Sequence, residues 1–203
     1  MSSRADAAAE KRLKILEASI HVFARQGFTA GRISDIADQA GVAHGLVYHY
    51  FESKEAILDE LFSERWELLV DMIAHTADEE IPARDKLARV AQFIVDSYRY
   101  DSDLMKVIIV EVTRAVNTFG KTHLEEIREA YDLIGEIVRR GQKAGELRDE
   151  IAPEYAALAF YGATEQVLTG WIFDLMPSEA EDFDRASAFI VETVCGGLGM
   201  PAH

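Results

Sequence analysis

Apolar residues recur at three- and four-residue spacing along almost the whole chain, and alternation at a spacing of two is scarce. That pattern predicts an all-α protein. A first helix runs from about Asp6 to Arg25, with Ile15, Ala18, Val22 and Phe23 as its apolar stripe. Gly27 is placed to close it with a left-handed cap, and Phe28 packs behind. A second helix starts near Arg32 or Ser34 and ends at Ala40, with Ile33, Ile36, Ala37 and Ala40 on one face. Gly41 supplies a positive-φ turn and Val42 plugs that turn into the core. A third, short helix spans about Ala43 to Tyr50, its apolar side formed by Leu46 or Val47 with Tyr50. Ala37 and Gly41 lie four apart, a small pair that lets two helices cross closely; together these features make a helix-turn-helix pattern.

Ser53 is a natural N-cap for a fourth helix reaching to about His75, striped by Ile57, Leu58, Leu61, Phe62, Leu69 and Ile73. Further helices are predicted over roughly 83–100, 103–117, 122–144, 153–175 and 179–196. Pro82 and Pro153 stand at or near helix starts, and Gly145 and Gly196-Gly197 at helix ends. The expected organisation is a three-helix head over 1–52 and a helical body over 53–203.

The third helix cannot bury its whole surface. Ala43, His44, Gly45, Tyr48 and His49 fall on its outer side. Small residues in its first turn let the backbone approach base edges, and Tyr48 and His49 can hydrogen-bond to phosphates or bases in a major groove. Lys54, in the first turn of the fourth helix, is placed to clamp a phosphate drawn to that N-terminus. Helix-turn-helix spacing alone is degenerate, and a merely packed helical hairpin with Tyr48, Tyr50 and Phe51 in a core fits it as well.

Charge sharpens this picture. The net charge of −15 argues against a general nucleic-acid binder, but its distribution is uneven. Residues 1–51 carry six Lys/Arg and five Asp/Glu, and the rest carry 15 and 31, so a near-neutral head precedes a body of −16. One cysteine, Cys195, excludes an internal disulfide framework and fits a reducing cytoplasm. The N-terminus has no apolar stretch of signal-peptide length, and no run of 18 apolar residues exists, so no membrane segment is expected. Among the histidines none forms a Glu-x-x-His pair, and no Gly-rich phosphate loop is present. No enzyme, metal site or cofactor is therefore expected.

The stretch FTAGRISDIADQAGVAHGLVYHYFESKEAILDELF, residues 28–62, resembles the DNA-binding domain of the TetR family of bacterial transcriptional regulators, above all in IADQAGV and VYHYFESKEAIL. The resemblance implies recognition-helix roles for Ala43, His44, Gly45, Leu46, Tyr48 and His49. It implies phosphate contacts for Thr29, Arg32, Ser34 and Lys54. Two positions depart from the family: Ala43 stands where Ser or Thr is usual, weakening the N-cap, and His44 replaces a frequent Lys.

The segment AGELRDEIAPEYAALAFYGATEQVLTGWI, residues 144–172, resembles the same family's C-terminal region, where the last two long helices of each subunit form a four-helix dimer interface. That implies a homodimer on a palindromic double-stranded operator, with Ala156, Ala159, Phe160, Ala163, Val167, Leu168, Phe189, Ile190, Thr193 and Val194 available for the interface or for the intrachain core. Family members also bind small molecules within the body. Candidate liners are Trp66, Phe93, Met105, Ile109, Tyr131, Phe160, Glu165 and Trp171, all of which also fit an ordinary core. Gln166 joins Glu165 as a polar residue in an otherwise apolar helix. YGATEQVLTGWI is similar to a subgroup of TetR-like regulators of fatty-acid degradation that respond to long-chain acyl-CoA. This implies a repressor released by a small apolar effector, with Arg89, Arg99 or Arg128 offsetting the acidic body. The alternative is a regulator of multidrug efflux responding to lipophilic cations.

Overall fold

A computed structural model describes residues 4–112 and 123–198. Among these residues there are nine helices and no strand. They are α1 (Arg4–Gln26), α2 (Ile33–Ala40), α3 (His44–Tyr50), α4 (Lys54–Ala77), α5 (Ala83–Tyr100), α6 (Ser102–Val107), α7 (Leu124–Lys143), α8 (Pro153–Ile172) and α9 (Ala180–Leu198). A π-helical turn, Ile108–Val112, continues α6. No helix among the described residues is long and apolar enough to cross a membrane.

The chain divides into two compact units. The first holds residues 4–65 and 103–112. Its core is the set the 3.6-residue period marks out: Ile15, Phe23, Ile36, Val47, Ile57 and Phe62 are all at 1% exposure or less. Phe28 meets Phe23 edge-on, ring centres 5.2 Å apart, behind the left-handed Gly27. Arg12 of α1 pairs with Glu60 of α4 and lies 5.2 Å over the Phe51 ring. α1 is therefore tied both to α4 and to the end of the recognition segment.

The second unit holds 66–102 and 123–198. Leu87, Val90, Ile134, Val138, Phe160, Leu168 and Ile190 fill its centre at zero exposure. Trp171 packs against Tyr98 at 5.3 Å and Phe183 at 4.9 Å, and its indole N–H donates to the Pro177 carbonyl at 2.9 Å. α5 and α7 come close at Gly141, where an added Cβ would lie 2.5 Å from the Ala83 Cβ. The Glu146 carboxylate accepts the Ala83 N–H at 2.6 Å, satisfying an orphan donor of the α5 first turn.

Three boundaries differ from the periodicity. α8 stops at Ile172, not at 175, because the chain turns at Asp174 (φ 53°) and Leu175 N–H returns to the Gly170 carbonyl at 2.8 Å. α9 runs through Gly196-Gly197 to Leu198 rather than ending at them; both glycines are exposed with open space at their Cβ positions, and neither has positive φ. The helix expected over 103–117 is α-helical only to Val107 before the π-turn. Residues 113–117 of that helix, and residue 122 of the next, lie outside the described residues.

Candidate functional site

The head presents α3 on a frame set by two glycine turns. α2 opens after Arg32 in extended conformation, with the Asp35 carboxylate accepting the Arg32 N–H at 3.3 Å. It closes at Gly41 (φ 65°), where the Gly41 and Val42 N–H groups bond to Asp38 and Ala37 carbonyls. Ala43 takes the extended N-cap conformation of α3 but makes no side-chain cap, as its methyl group dictates.

Val47 anchors α3 at zero exposure, and Leu46 is half-buried. Ala43, His44, Gly45, Tyr48 and His49 all face outward. His44 meets Tyr48 edge-to-face at 5.3 Å, one turn apart, which orients both rings. Thr29, Arg32 and Ser34 are exposed, and with His44, Tyr48 and Lys54 they line an open depression of about 540 Å³. Six of the ten predicted DNA-contact residues therefore share one concavity, and the remaining four lie on α3 or at its N-cap.

Lys54 has a role there that its position in the sequence did not announce. Its ammonium donates to the carbonyls of Phe28 (2.7 Å), Thr29 (3.2 Å) and Gly31 (3.2 Å), and lies 4.6 Å over the Phe28 ring. Ser53 caps α4 as expected, accepting the Ala56 N–H at 3.1 Å.

In the second unit the predicted effector residues separate into groups. Trp66, Tyr131 and Glu165 converge around Tyr161, which the sequence reading passed over. Trp66 lies 6.0 Å and Tyr131 5.2 Å from the Tyr161 ring, and Glu165 follows Tyr161 by one turn of α8. The Trp66 indole N–H donates to the Glu126 carbonyl at 2.8 Å, fixing that ring. Burial pushes the Glu165 carboxyl above its ordinary range. Burial and the neighbouring Glu165 charge push both phenols up as well. The signal for Tyr161 was present in its spacing, four residues before Glu165.

Tyr131 also lines a groove of about 300 Å³ between α7 and α8, with Leu124, Ile127 and Leu158 and with Arg128 and Arg139 among its walls. Arg139 is held by Glu136 at 2.5 Å and Glu154 at 3.0 Å. Of the other arginines considered, Arg89 pairs with Glu79 and Arg99 lies 5.9 Å from the Phe183 ring. Phe93 is half-buried on α5, while Phe160 and Trp171 are packed in the core at 0% and 2% exposure. Gln166 is exposed on α8. Met105 and Ile109 are half-buried and belong to the first unit.

α8 and α9 each keep an uncovered stripe. On α8 it is Tyr155, Leu158, Ala159, Gly162, Ala163 and Gln166; on α9 it is Phe189, Thr193 and Gly196. Ala156, Phe160, Val167, Leu168 and Ile190, read from sequence as serving either an interface or the core, face inward.

A helix-turn-helix with its second helix exposed, in a chain whose last two long helices each keep an uncovered stripe, is the arrangement of a DNA-binding transcriptional regulator. The chain belongs to the TetR family of bacterial regulatory proteins: residues 15–61 match that family's N-terminal profile, and residues 84–194 match the tetracyclin repressor-like C-terminal domain. Regulators of this family bind DNA operators as dimers and respond to small-molecule effectors. The chain is 28% identical over 189 residues to the fatty acid metabolism regulator protein of Bacillus subtilis, covering 93% of this chain and 95% of that one. It is 28% identical over 195 residues to the transcriptional repressor KstR2 of Rhodococcus jostii, covering 94% and 92%. The crystal structure of the Bacillus subtilis regulator FadR in complex with stearoyl-CoA superposes with a TM-score of 0.80 at 25% identity, covering 92% of this chain and 98% of that one.

Proposed function

We propose that this protein is a transcriptional repressor that binds a palindromic operator as a homodimer and is released by a long-chain acyl-CoA. The observation that carries the effector is the likeness, over nearly the full length of both chains, to a regulator crystallised with stearoyl-CoA. Arg128 in the wall of the α7–α8 groove offers a cation for an anionic head group beside the apolar Leu124, Ile127 and Leu158. In this reading Ala43, His44, Gly45, Leu46, Tyr48 and His49 meet the major groove, and Thr29, Arg32 and Ser34 meet phosphates. Trp66, Tyr131 and Glu165 contact the effector. Protomers join through the stripes bearing Tyr155 and Phe189. The protein works in the cytoplasm, where its operator is.

Two recognition helices must lie about 34–36 Å apart to enter successive major grooves. α4 contributes residues to both units, so an effector held in the second unit acts through that helix on the head spacing. A coupling of about 1–3 kcal/mol lowers operator affinity some 5- to 150-fold.

A second reading is favoured by one observation. The half-buried Glu165, beside the Tyr131 and Tyr161 phenols, has no hydrogen bond or ion pair to a described residue, an arrangement that suits a lipophilic cation. Operator binding followed by fluorescence anisotropy, titrated with palmitoyl-CoA, free palmitate and a quaternary-ammonium dye, separates the two. Release by palmitoyl-CoA alone supports the first reading, and release by the dye alone supports the second. If none of the three alters operator affinity or binds calorimetrically, both effector assignments fall.

A further inference from the structure

An ammonium group has three N–H donors. Those of Lys54 have three acceptors already, the carbonyls of Phe28, Thr29 and Gly31, and the charge also lies over the Phe28 ring. The three carbonyls belong to the turn between α1 and α2. That turn begins at the left-handed Gly27, and the Gly31 N–H returns to the Gly27 carbonyl at 3.0 Å. The curl brings three carbonyl dipoles to one point, where they repel one another unless a cation sits between them. Gly31 itself is buried, with its Cβ position 3.1 Å from Phe23 and 3.2 Å from Val22, so the turn cannot shift inward to separate them.

Lys54 is the first residue of α4 and follows the recognition helix by three residues. The turn it holds precedes α2 by one residue, Arg32. One ammonium group thus joins the two ends of the helix-turn-helix across 23 to 26 positions of chain. We propose that Lys54 is a positioning residue of the DNA-reading head, a clamp that fixes the turn carrying Thr29 and Arg32, rather than a phosphate ligand. To reach a phosphate it would have to release at least one carbonyl and leave that oxygen unpaired beside two others. Arginine cannot substitute, because its planar fork spreads its donors instead of converging them on one point.

The two roles make opposite predictions for arginine. Each phosphate neutralised contributes about −0.9 to the slope of log affinity against log salt. If Lys54 touched phosphate, Lys54→Met in the dimer would flatten that slope by about 1.8, and Lys54→Arg would keep both slope and affinity. If it is a clamp, Lys54→Met and Lys54→Arg both lose operator affinity, by about tenfold or more. Both variants then shift the slope alike, because both loosen the turn that carries Arg32, and both lose affinity together.

The assay is fluorescence anisotropy on operator and random duplex across a potassium chloride series, with circular dichroism confirming that the variants fold. Should either variant fail to fold, the Nζ resonance of Lys54 in the wild-type full-length protein decides. It stays where it is on adding operator if the group is a clamp, and it moves if the group is transferred to phosphate. A Lys54→Arg variant with wild-type affinity and slope, or a moved resonance, overturns the proposal. Loss of all operator binding by the wild-type protein would instead count against the DNA-binding reading itself.

Discussion

Phe189 carries a sharp test of the dimer. It projects from α9 at 60% exposure, in a helix whose Ile190 and Val191 are buried in the core. A phenylalanine side chain buries roughly 150–250 Å² when fully covered, so about 120 Å² remains available here. At about 25 cal/mol per Å² that area is worth close to 3 kcal/mol per protomer. Two-fold symmetry counts it twice, near 6 kcal/mol for the pair. Ordering of side chains and incomplete cover at an interface reduce this to about 2–4 kcal/mol. Phe189→Ala should therefore raise the dimer dissociation constant about 30- to 1,000-fold. Sedimentation velocity over a dilution series measures it, with a species near the 22.7 kDa protomer appearing at concentrations where the wild type is dimeric. Because Phe189 is exposed within one chain, helix content by circular dichroism should hold, whereas Ile190→Ala should lower stability first. A dissociation constant within threefold of wild type would show that Phe189 faces solvent in the dimer, and the α9 stripe would lose its assignment.

Three further outcomes are expected. Gly141→Ala sets a methyl 2.5 Å from the Ala83 Cβ, an overpacking cost of about 1–3 kcal/mol that exceeds the roughly 1 kcal/mol gained in helix propensity; the melting temperature should fall, and Ala83→Gly in the same chain should restore it. Ala43→Ser supplies the α3 N-cap side chain that is missing, so the head should gain about 1 kcal/mol, seen as a higher melting temperature with no loss of fold. Glu165 has a folded pKa above its ordinary 4.5, so the native state holds the proton more tightly than the unfolded one. Its contribution is most favourable at low pH and is lost as pH rises from about 4.5 through the raised value. Glu165→Gln should abolish that part of the decline in a series of thermal melts from pH 4 to 8, and an unchanged pH profile would count against burial as the cause.

The head was legible because its constraints are local. Gly27 and Gly41 sit where the backbone needs positive φ, and both adopt it. Ile36, Val47, Ile57 and Phe62 repeat at helical spacing and are the residues that vanish from the surface. What the sequence could not convey was the partner of a long side chain. Lys54 looks like any exposed cation at a helix start until the fold brings three carbonyls from 23 to 26 residues away into its reach. Tyr161 is a similar case: on α8 alone it is one aromatic among several, and only the approach of Trp66 from α4 and Tyr131 from α7 makes it the centre of a cluster.

α8 shows why the body resisted the same treatment. An amphipathic stripe tells inside from outside only when one side of a helix is polar. α8 must meet the core through Ala156, Phe160, Leu168 and Trp171, and it also carries Tyr155 and Leu158 on an uncovered face. It is therefore apolar around most of its circumference, and periodicity cannot divide interface from core. The residues that break the ambiguity are those that fit neither role. Glu165 is half-buried with no cation among the described residues paired to it, and burial raises its pKa. Gly162 is small enough for a second helix to approach closely, with no described side chain within 4 Å of its Cβ position. One helix of 20 residues thus carries both a half-buried carboxyl and a glycine with no described side chain against it, and its apolar pattern alone separates neither from the core.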